Sequence, residues 1–383
     1  MQSVGKTVPE DAKMNGTRAA MWAQSRVSAR LGIKYPIIQG PLGGMASQRL
    51  TAAVSNYGGL GSFGAHGLTP SAIAEVIAEL RSMTGKPFAV NLWVSMEDEG
   101  ARASDEAAFN RSLRTLAPII RSLGGTLPPY VPYSPSKFED QARVLIDARV
   151  PVFSFIVGIP PQEILEECRS RAIVTIGTAT TPDEAIALER AGVDIIVASG
   201  FEAGGHRGSF LRAPDDSLTG TFALVPQVAD LVSAPVVAAG GIADARGIVA
   251  ALALGAEGVQ IGTAFLACAE SGASEAHRAA LLGGNAGATG LTRGITGRLA
   301  RGIKNRLFDT VNAAGVEILP YPLQRALVRQ VSGLAQKAGQ PDLTPMWAGQ
   351  SANLARHMKA AELLDALVSG VSGVLDDGCA TGR

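Results

Sequence analysis

The stretch GFEAGGHRGSF, residues 200–210, places His206 in a run too rich in glycine for a stable helix or an ordinary strand. His206 is one of four histidines in the chain; Glu202 lies four residues before it and Arg207 follows it directly. Imidazole titrates close to neutrality, so a histidine held at a cleft can move protons at physiological pH. Gly204 and Gly205 let backbone approach a flat ligand closely. Alone, the stretch fits better a histidine capping a helix or hydrogen-bonded in a loop. The segments VVAAGG and VQIGTAF change the balance. Gly240 and Gly241 in one, and Gln260, Ile261, Gly262 and Thr263 in the other, offer backbone N–H groups and one hydroxyl, the donors that grip a phosphate. We expect His206 to face a phosphate-bearing ligand and to do its chemistry there.

The remaining reactive side chains suggest less. Glu202 either orients a neighbour or pairs with Arg207. His66, in GAHG, points toward the same mouth or serves its loop. His277 and His357 fall in helical stretches without a partner motif and are expected at the surface. No His, Asp or Glu cluster has metal-ligand spacing, so no metal is expected. No G-x-S-x-G occurs. Cys168, Cys268 and Cys379 form no C-x-x-C pair, which suits a reducing compartment. Cys268, just past an apolar run, is expected to be buried and inert.

Strand ends must bring these residues together. Eight short apolar runs, at 36–40, 58–64, 87–94, 151–158, 172–178, 194–200, 235–241 and 258–265, recur between helical patterns. They are apolar throughout rather than alternating, as strands buried on both faces of a parallel sheet are. Thr181-Pro182 reads as a helix start, and Gly192 and Gly255 as helix ends. Eight such units predict an α/β fold, a TIM (β/α)8 barrel with a C-terminal helical subdomain. A doubly wound sheet would need a phosphate loop after its first strand, and GPLGGM does not match that fingerprint. The literal G-x-G-x-x-G at Gly59, Gly61 and Gly64 lies inside a strand pattern, where close packing explains it better than nucleotide binding.

The expected layout is an N-terminal extension over 1–28, a barrel over 29–270 with a helical excursion at 97–150, and a helical lid over 271–383. The basic run 292–306, with Arg293, Arg298, Arg301, Lys304 and Arg306, reads either as a solvated helix face or as a rim that draws in anions. Of the 383 residues, 46% are hydrophobic, enough for a sizeable core, and 34 basic residues balance 34 acidic ones. That balance gives no general pull toward nucleic acid or an anionic membrane. Neither a secretory signal nor a membrane-length apolar run is visible, so a cytoplasmic protein is expected. Monomer and dimer stay open.

Taken together, YPIIQGPLGG, PFAVNLWV, VASGFEAGGHRG, VVAAGGI, VQIGTAF, TGRLARGIKNR, YPLQ and MWAGQS resemble the successive motifs of the FMN-dependent nitronate monooxygenases, formerly 2-nitropropane dioxygenases. The resemblance runs from about residue 33 to about 365. It implies FMN as cofactor, a small nitronate and O2 as substrates, and a carbonyl compound and nitrite as products. It implies that Asn91 contacts the flavin, that Gly204 approaches its ring, and that Gly241 with Gln260–Thr263 grips the phosphate. His206 matches the active-site histidine, and Gly349 and Gln350 a segment closing over the flavin. Leu42, Gly43, Ser199, Gly200, Ala203, Gly205 and Gly240 complete the implied cofactor shell. The chain carries Leu42 where many relatives have Met, and Ser199 where many have Gln. FMN-dependent NAD(P)H reductases, acting on enoyl-acyl-carrier protein or on quinones, share the EAGGH loop and are the alternative. A barrel that merely binds a phosphate ligand is a third reading.

Overall fold

The computed structural model describes residues 22–380 apart from 96, 97, 99, 132–135 and 285. Most of the expected N-terminal extension, residues 1–21, lies outside them. Its last part does not extend away from the fold. Trp22 stacks on Tyr35, and the helix Arg26–Leu31, capped by Ser25, buries Val27 and Leu31.

The eight apolar runs form eight parallel strands: β1 Ile37–Gln39, β2 Gly61–Gly64, β3 Phe88–Trp93, β4 Val152–Ile156, β5 Val174–Ala179, β6 Ile195–Ser199, β8 Val236–Ala239 and β9 Gly258–Ile261. Between β6 and β8 lies a two-residue strand, β7, Gly205–His206. The parallel sheet runs β1-β9-β8-β6-β5-β4-β3-β2. A parallel bridge between Ile38 and Leu60 joins β1 to the segment leading into β2 and brings the two ends of the sheet together. The architecture is a TIM barrel.

Strand period explains what fills it. Ile195 and Val197 point into the barrel with Ile38, Leu60, Ala89, Val152, Ile176 and Val237; Val27 and Leu31 complete this interior cluster. Ile196 and Ala198, on the opposite face of β6, pack against the surrounding helices. Two residues further along the inward face, the apolar layer gives way to Asn91, Ser154, Thr178 and Ser199. The polar layer is the floor of a cavity at the C-terminal ends of the strands.

Predicted helix punctuation is present. Thr181 Oγ1 accepts the N–H of Glu184 ahead of the helix Pro182–Arg190, and Gly192 and Gly255 follow their helices with positive φ. The fingerprint glycines are packing positions: a methyl group at Gly61 would strike the Thr51 carbonyl, and one at Gly64 the Pro41 carbonyl.

The layout beyond the barrel differs from the expected one. Within the 97–150 excursion, the helix Phe138–Asp147 belongs to the barrel and buries Phe138, Ala142, Leu145 and Ile146 in its outer core. The helix Glu106–Ser122 instead packs on Leu323–Lys337, where Leu113, Leu116 and Ile120 meet Leu327, Val328 and Val331 in a second core. Residues 271–383 are not all helical. β10, Thr289–Thr292, and β11, Ala300–Ile303, make an antiparallel pair, and β11 also pairs with β7. The last helix, Ala360–Ala380, returns to the barrel and buries Leu363, Leu364, Leu367 and Val371 in its outer core. The basic run is therefore strand and loop up to Arg306, which opens the helix Arg306–Val311, and not a helix face.

Candidate active site

The loop after β6 is held by two charged groups that do not pair with each other. The Glu202 carboxylate accepts the Thr221 N–H at 2.9 Å and its hydroxyl at 3.0 Å. It thereby caps the helix Thr221–Leu231, whose N-cap, Gly220, has no side chain to do so. The buried Arg207 guanidinium donates to three carbonyls, of Gly200 at 2.7 Å, Ser199 at 3.2 Å and Ser217 at 2.9 Å. The loop is closed on itself and leaves in register with β11: Gly205 faces Arg301 and His206 faces Ala300. Gly205 has φ +77°, a conformation that side chains resist.

His206 enters an aromatic corner. Its ring lies 4.8 Å from Trp93, 5.4 Å from Trp347 and 6.2 Å from Tyr321. His66 stacks flat on Trp93 at 4.1 Å. His206 Nε2 is 2.9 Å from Thr296 Oγ1. Burial pushes the His206 pKa down to about 3, with Arg325 and then Arg298 adding to the shift. Burial likewise holds His66 well below the ordinary value, helped by Arg325, His206 and Arg298. Both imidazoles are neutral at neutral pH.

Arg298 is the cation that organises this corner. Its guanidinium donates to Asp98 at 2.6 Å and to the Ser95 carbonyl at 2.9 Å, and it lies over the Tyr321 ring at 4.6 Å. The sequence offered this residue only as part of a basic run. Arg301 is equally buried, donating to the Phe201 carbonyl and the Thr289 hydroxyl. Arg293 and Arg306 pair with Asp215 and Asp342. Replacing Arg298 with Met is expected to cost about 2 kcal/mol, because Asp98 loses its partner but keeps some contact with water. The same change is expected to raise the His206 pKa, since it removes one of the repelling charges. Denaturant unfolding and an imidazole NMR titration check the two effects.

Opposite the histidine, the wall is backbone. Gly240 and Gly241 follow β8 with φ of +103° and +73°. Gly262 precedes the short helix Thr263–Leu266, whose first turn has no side-chain cap. Thr263 Oγ1 accepts the Gly349 N–H at 2.9 Å, and the Gln350 N–H donates to the Glu202 carbonyl at 2.9 Å. The segment from Trp347 to Ser351 is thereby fastened to the end of β9 and to the loop after β6.

The cavity gathers His206, Leu42, Gly43, Asn91, Ser199, Ala203, Gly204, Gly205, Gly240, Gly241, Gln260, Gly262 and Thr263. Asn91 donates to Ser154 Oγ at 3.0 Å across the floor. Three expected residues do not line it. Ile261 points into the outer barrel core. Gly200 is packed against Thr221 and Glu202, where no side chain fits. Gln350 is exposed and meets the loop through its backbone, so its neighbours Gly349 and Ser351 face the cavity instead. His66 does line it. His277 is not at the surface: it is buried and its Nε2 lies 3.0 Å from the Trp347 carbonyl. Cys268 is buried, and burial pushes its thiol up to about 12. Sequence reasoning missed Trp93, Trp347, Tyr321 and Thr296, and had Arg298 only within the basic run. One signal was available: the chain has three tryptophans, and two of them line this cavity.

A model of the nitronate monooxygenase family matches residues 24–370. The chain belongs to the nitronate monooxygenase family. It is an oxidoreductase by that membership. It is 42% identical over 357 residues to a probable nitronate monooxygenase of Staphylococcus haemolyticus (strain JCSC1435), covering 93% of this chain and 99% of the relative. A probable nitronate monooxygenase of Staphylococcus aureus (strain JH9) is 38% identical over 362 residues, again covering 93% and 99%. Among solved structures, nitroalkane oxidase from Streptomyces ansochromogenes superposes with a TM-score of 0.82 at 35% identity, covering 91% of this chain and 98% of that one. FabK from Thermotoga maritima superposes at 0.71 and 27% identity, covering 92% and 98%. The match to the nitronate monooxygenase family takes in the barrel, the paired strands β10 and β11, and the first half of the final helix.

Proposed function

We propose that this nitronate monooxygenase oxidises alkyl nitronates with O2 to a carbonyl compound and nitrite, with FMN as cofactor. The observation that carries the reading is His206 lining one cavity together with a wall of glycine backbone.

The residues present fit FMN. A flat ring needs a surface without side chains, and Gly204, Gly205 and Gly241 supply one. A phosphate needs N–H donors that nothing else caps, and the strand ends at Gly240–Gly241 and Gly262–Thr263 are built that way. Asn91, Ser199 and Gln260 would place amide and hydroxyl groups along the ring's polar edge. FMN would supply the electron transfer and the reaction with oxygen, which no side chain here can provide.

The protein contributes position, charge and dryness. Arg298 and Arg325 make the histidine corner electropositive, which favours an anionic nitronate over a neutral competitor. Trp93 and Trp347 remove water from the substrate's side of the cavity, which strengthens that field. His206, held neutral, has a lone pair for an α-proton and asks for no proton from a nitronate that is already ionised.

The expected result is nitrite release and oxygen uptake with a small primary nitronate. The pH profile should carry no break near 6.5. A base must be unprotonated, and a lowered pKa keeps His206 unprotonated as pH falls, until it approaches about 3. Oxygen-electrode rates from mildly acidic to neutral pH test this. A histidine-like inflection near 6.5 with a neutral nitroalkane would show that His206 is not the desolvated base described here.

A further inference from the structure

We propose that Thr296 fixes the tautomer of His206, keeping the proton on Nε2 and leaving the Nδ1 lone pair to act on a neutral nitroalkane. The proposal rests on the reading of His206 as the site's base. Thr296 is its positioning residue.

The argument is a count of protons. The Thr296 hydroxyl is buried and has one hydrogen to give. Three groups lie around its oxygen: the Arg298 carbonyl at 3.2 Å, the Arg298 N–H at 3.4 Å and His206 Nε2 at 2.9 Å. The Arg298 N–H can only donate. The Arg298 carbonyl can only accept, and no other donor to it is found among the described residues. If the hydroxyl turned to His206, that carbonyl would be stranded, at a cost of about 1–3 kcal/mol. Given to the carbonyl, the hydroxyl hydrogen leaves the oxygen able only to accept from the ring, and Nε2 must then carry a proton.

Nδ1 is then the basic nitrogen, on a ring that lines the cavity. The buried side-chain atoms without a partner among the described residues are His66 Nδ1, Gln141 Oε1 and Arg207 Nε. His206 Nδ1 is not among them, no hydrogen bond to it is found among the described residues, and its ring lines the cavity.

The groups facing the ring leave this neutral form in place. Arg298 and Arg325 oppose a positive imidazole, His66 is itself neutral, and Tyr321 meets the ring edge-on. Asp98, the acid of this corner, is engaged by Arg298. A hydroxyl partner orients the ring without stabilising its cation, unlike the carboxylate that orients many catalytic histidines. In the step itself, the Cα–H bond of the nitroalkane breaks, its electron pair moves onto the nitro group, and the proton goes to Nδ1. The nitronate formed places a negative charge beside the new imidazolium.

Two readouts test this. The first is 15N–1H correlation NMR of the holoprotein labelled in histidine, with four imidazoles to resolve and His206→Asn to assign the signal. The expected spectrum shows His206 protonated on Nε2, and Thr296→Val mixes the two tautomers. The second is substrate ratio. Thr296→Val should lower kcat/KM for nitroethane about 10- to 100-fold, a part of what a general base contributes. Turnover of the preformed ethyl nitronate should stay within about twofold, and Thr296→Ser should restore nitroethane turnover. A wild-type His206 protonated on Nδ1, or equal effects of Thr296→Val on both substrates, overturns the proposal. Loss of activity on both substrates in the wild type would instead undercut the functional reading, while the spectrum would still decide the tautomer.

Discussion

Replacing His206 with Asn is expected to lower nitrite formation from a neutral nitroalkane by about 10²–10⁴-fold, the usual contribution of a positioned base. The loss with a preformed nitronate should be much smaller, because that substrate needs no proton removed. Flavin content should not change, since the wall assigned to the cofactor is made of glycine backbone and the Thr263 hydroxyl rather than the histidine. Asn is the informative replacement: its amide can still bond Thr296 Oγ1, so the corner keeps its shape while losing its base. Purified variant and wild type compared on both substrates, with flavin measured per mole of protein, check all three statements. Equal activity of the two proteins on a nitroalkane would remove His206 from the chemistry.

The second large effect is expected at Gly204. A methyl group there would sit 2.6 Å from the Ala348 carbonyl carbon and 2.6 Å from the Gly349 nitrogen. Both are backbone atoms, so no side-chain rotation relieves the clash. The segment 347–351 must move away, although the Gly349 N–H and Gln350 N–H tie it to Thr263 and Glu202. Trp347 moves with it and loosens the wall beside His206. Gly204→Ala is expected to cost about 1–3 kcal/mol, the range for overpacking a tight site. If that cost falls on the cofactor site, flavin affinity drops about 10- to 100-fold. Flavin released on dilution, together with the unfolding midpoint, separates a local effect from a global one.

Much of this architecture was legible because a parallel barrel writes itself plainly. Its strands are buried on both faces, so β3 to β6, β8 and β9 appear as apolar runs with little competing signal. The glycines around His206 and at the ends of β8 and β9 were legible for a similar reason: a bare backbone wall needs residues that nothing else in a strand would choose. Strands β10 and β11 were not legible. TGLT and ARGI are short, and ARGI carries an arginine whose burial depends on carbonyl and hydroxyl partners elsewhere in the chain. The other partner of β11, β7, is two residues long, so only the folded chain pairs them.

The aromatic corner was hidden for the same reason. Thr296 lies 90 residues from His206 in sequence, and Arg298 lies 200 from Asp98. No local pattern announces a contact across such distances. Trp93 was nearer to hand. It stands two residues beyond Asn91 on β3, so whatever face Asn91 presents to the cavity Trp93 must present as well. Gln350, expected in the segment closing over the cofactor, has an exposed side chain, and its backbone N–H bonds the Glu202 carbonyl.

The measurement that tests the central claim most directly is the absorbance of the purified, flavin-loaded protein mixed without oxygen with propionate 3-nitronate, and separately with NADH and with NADPH. The account predicts that the nitronate reduces the flavin promptly and that neither nicotinamide does. Rapid bleaching by NADH or NADPH, with the nitronate inert, would contradict it and assign the cavity to a reductase.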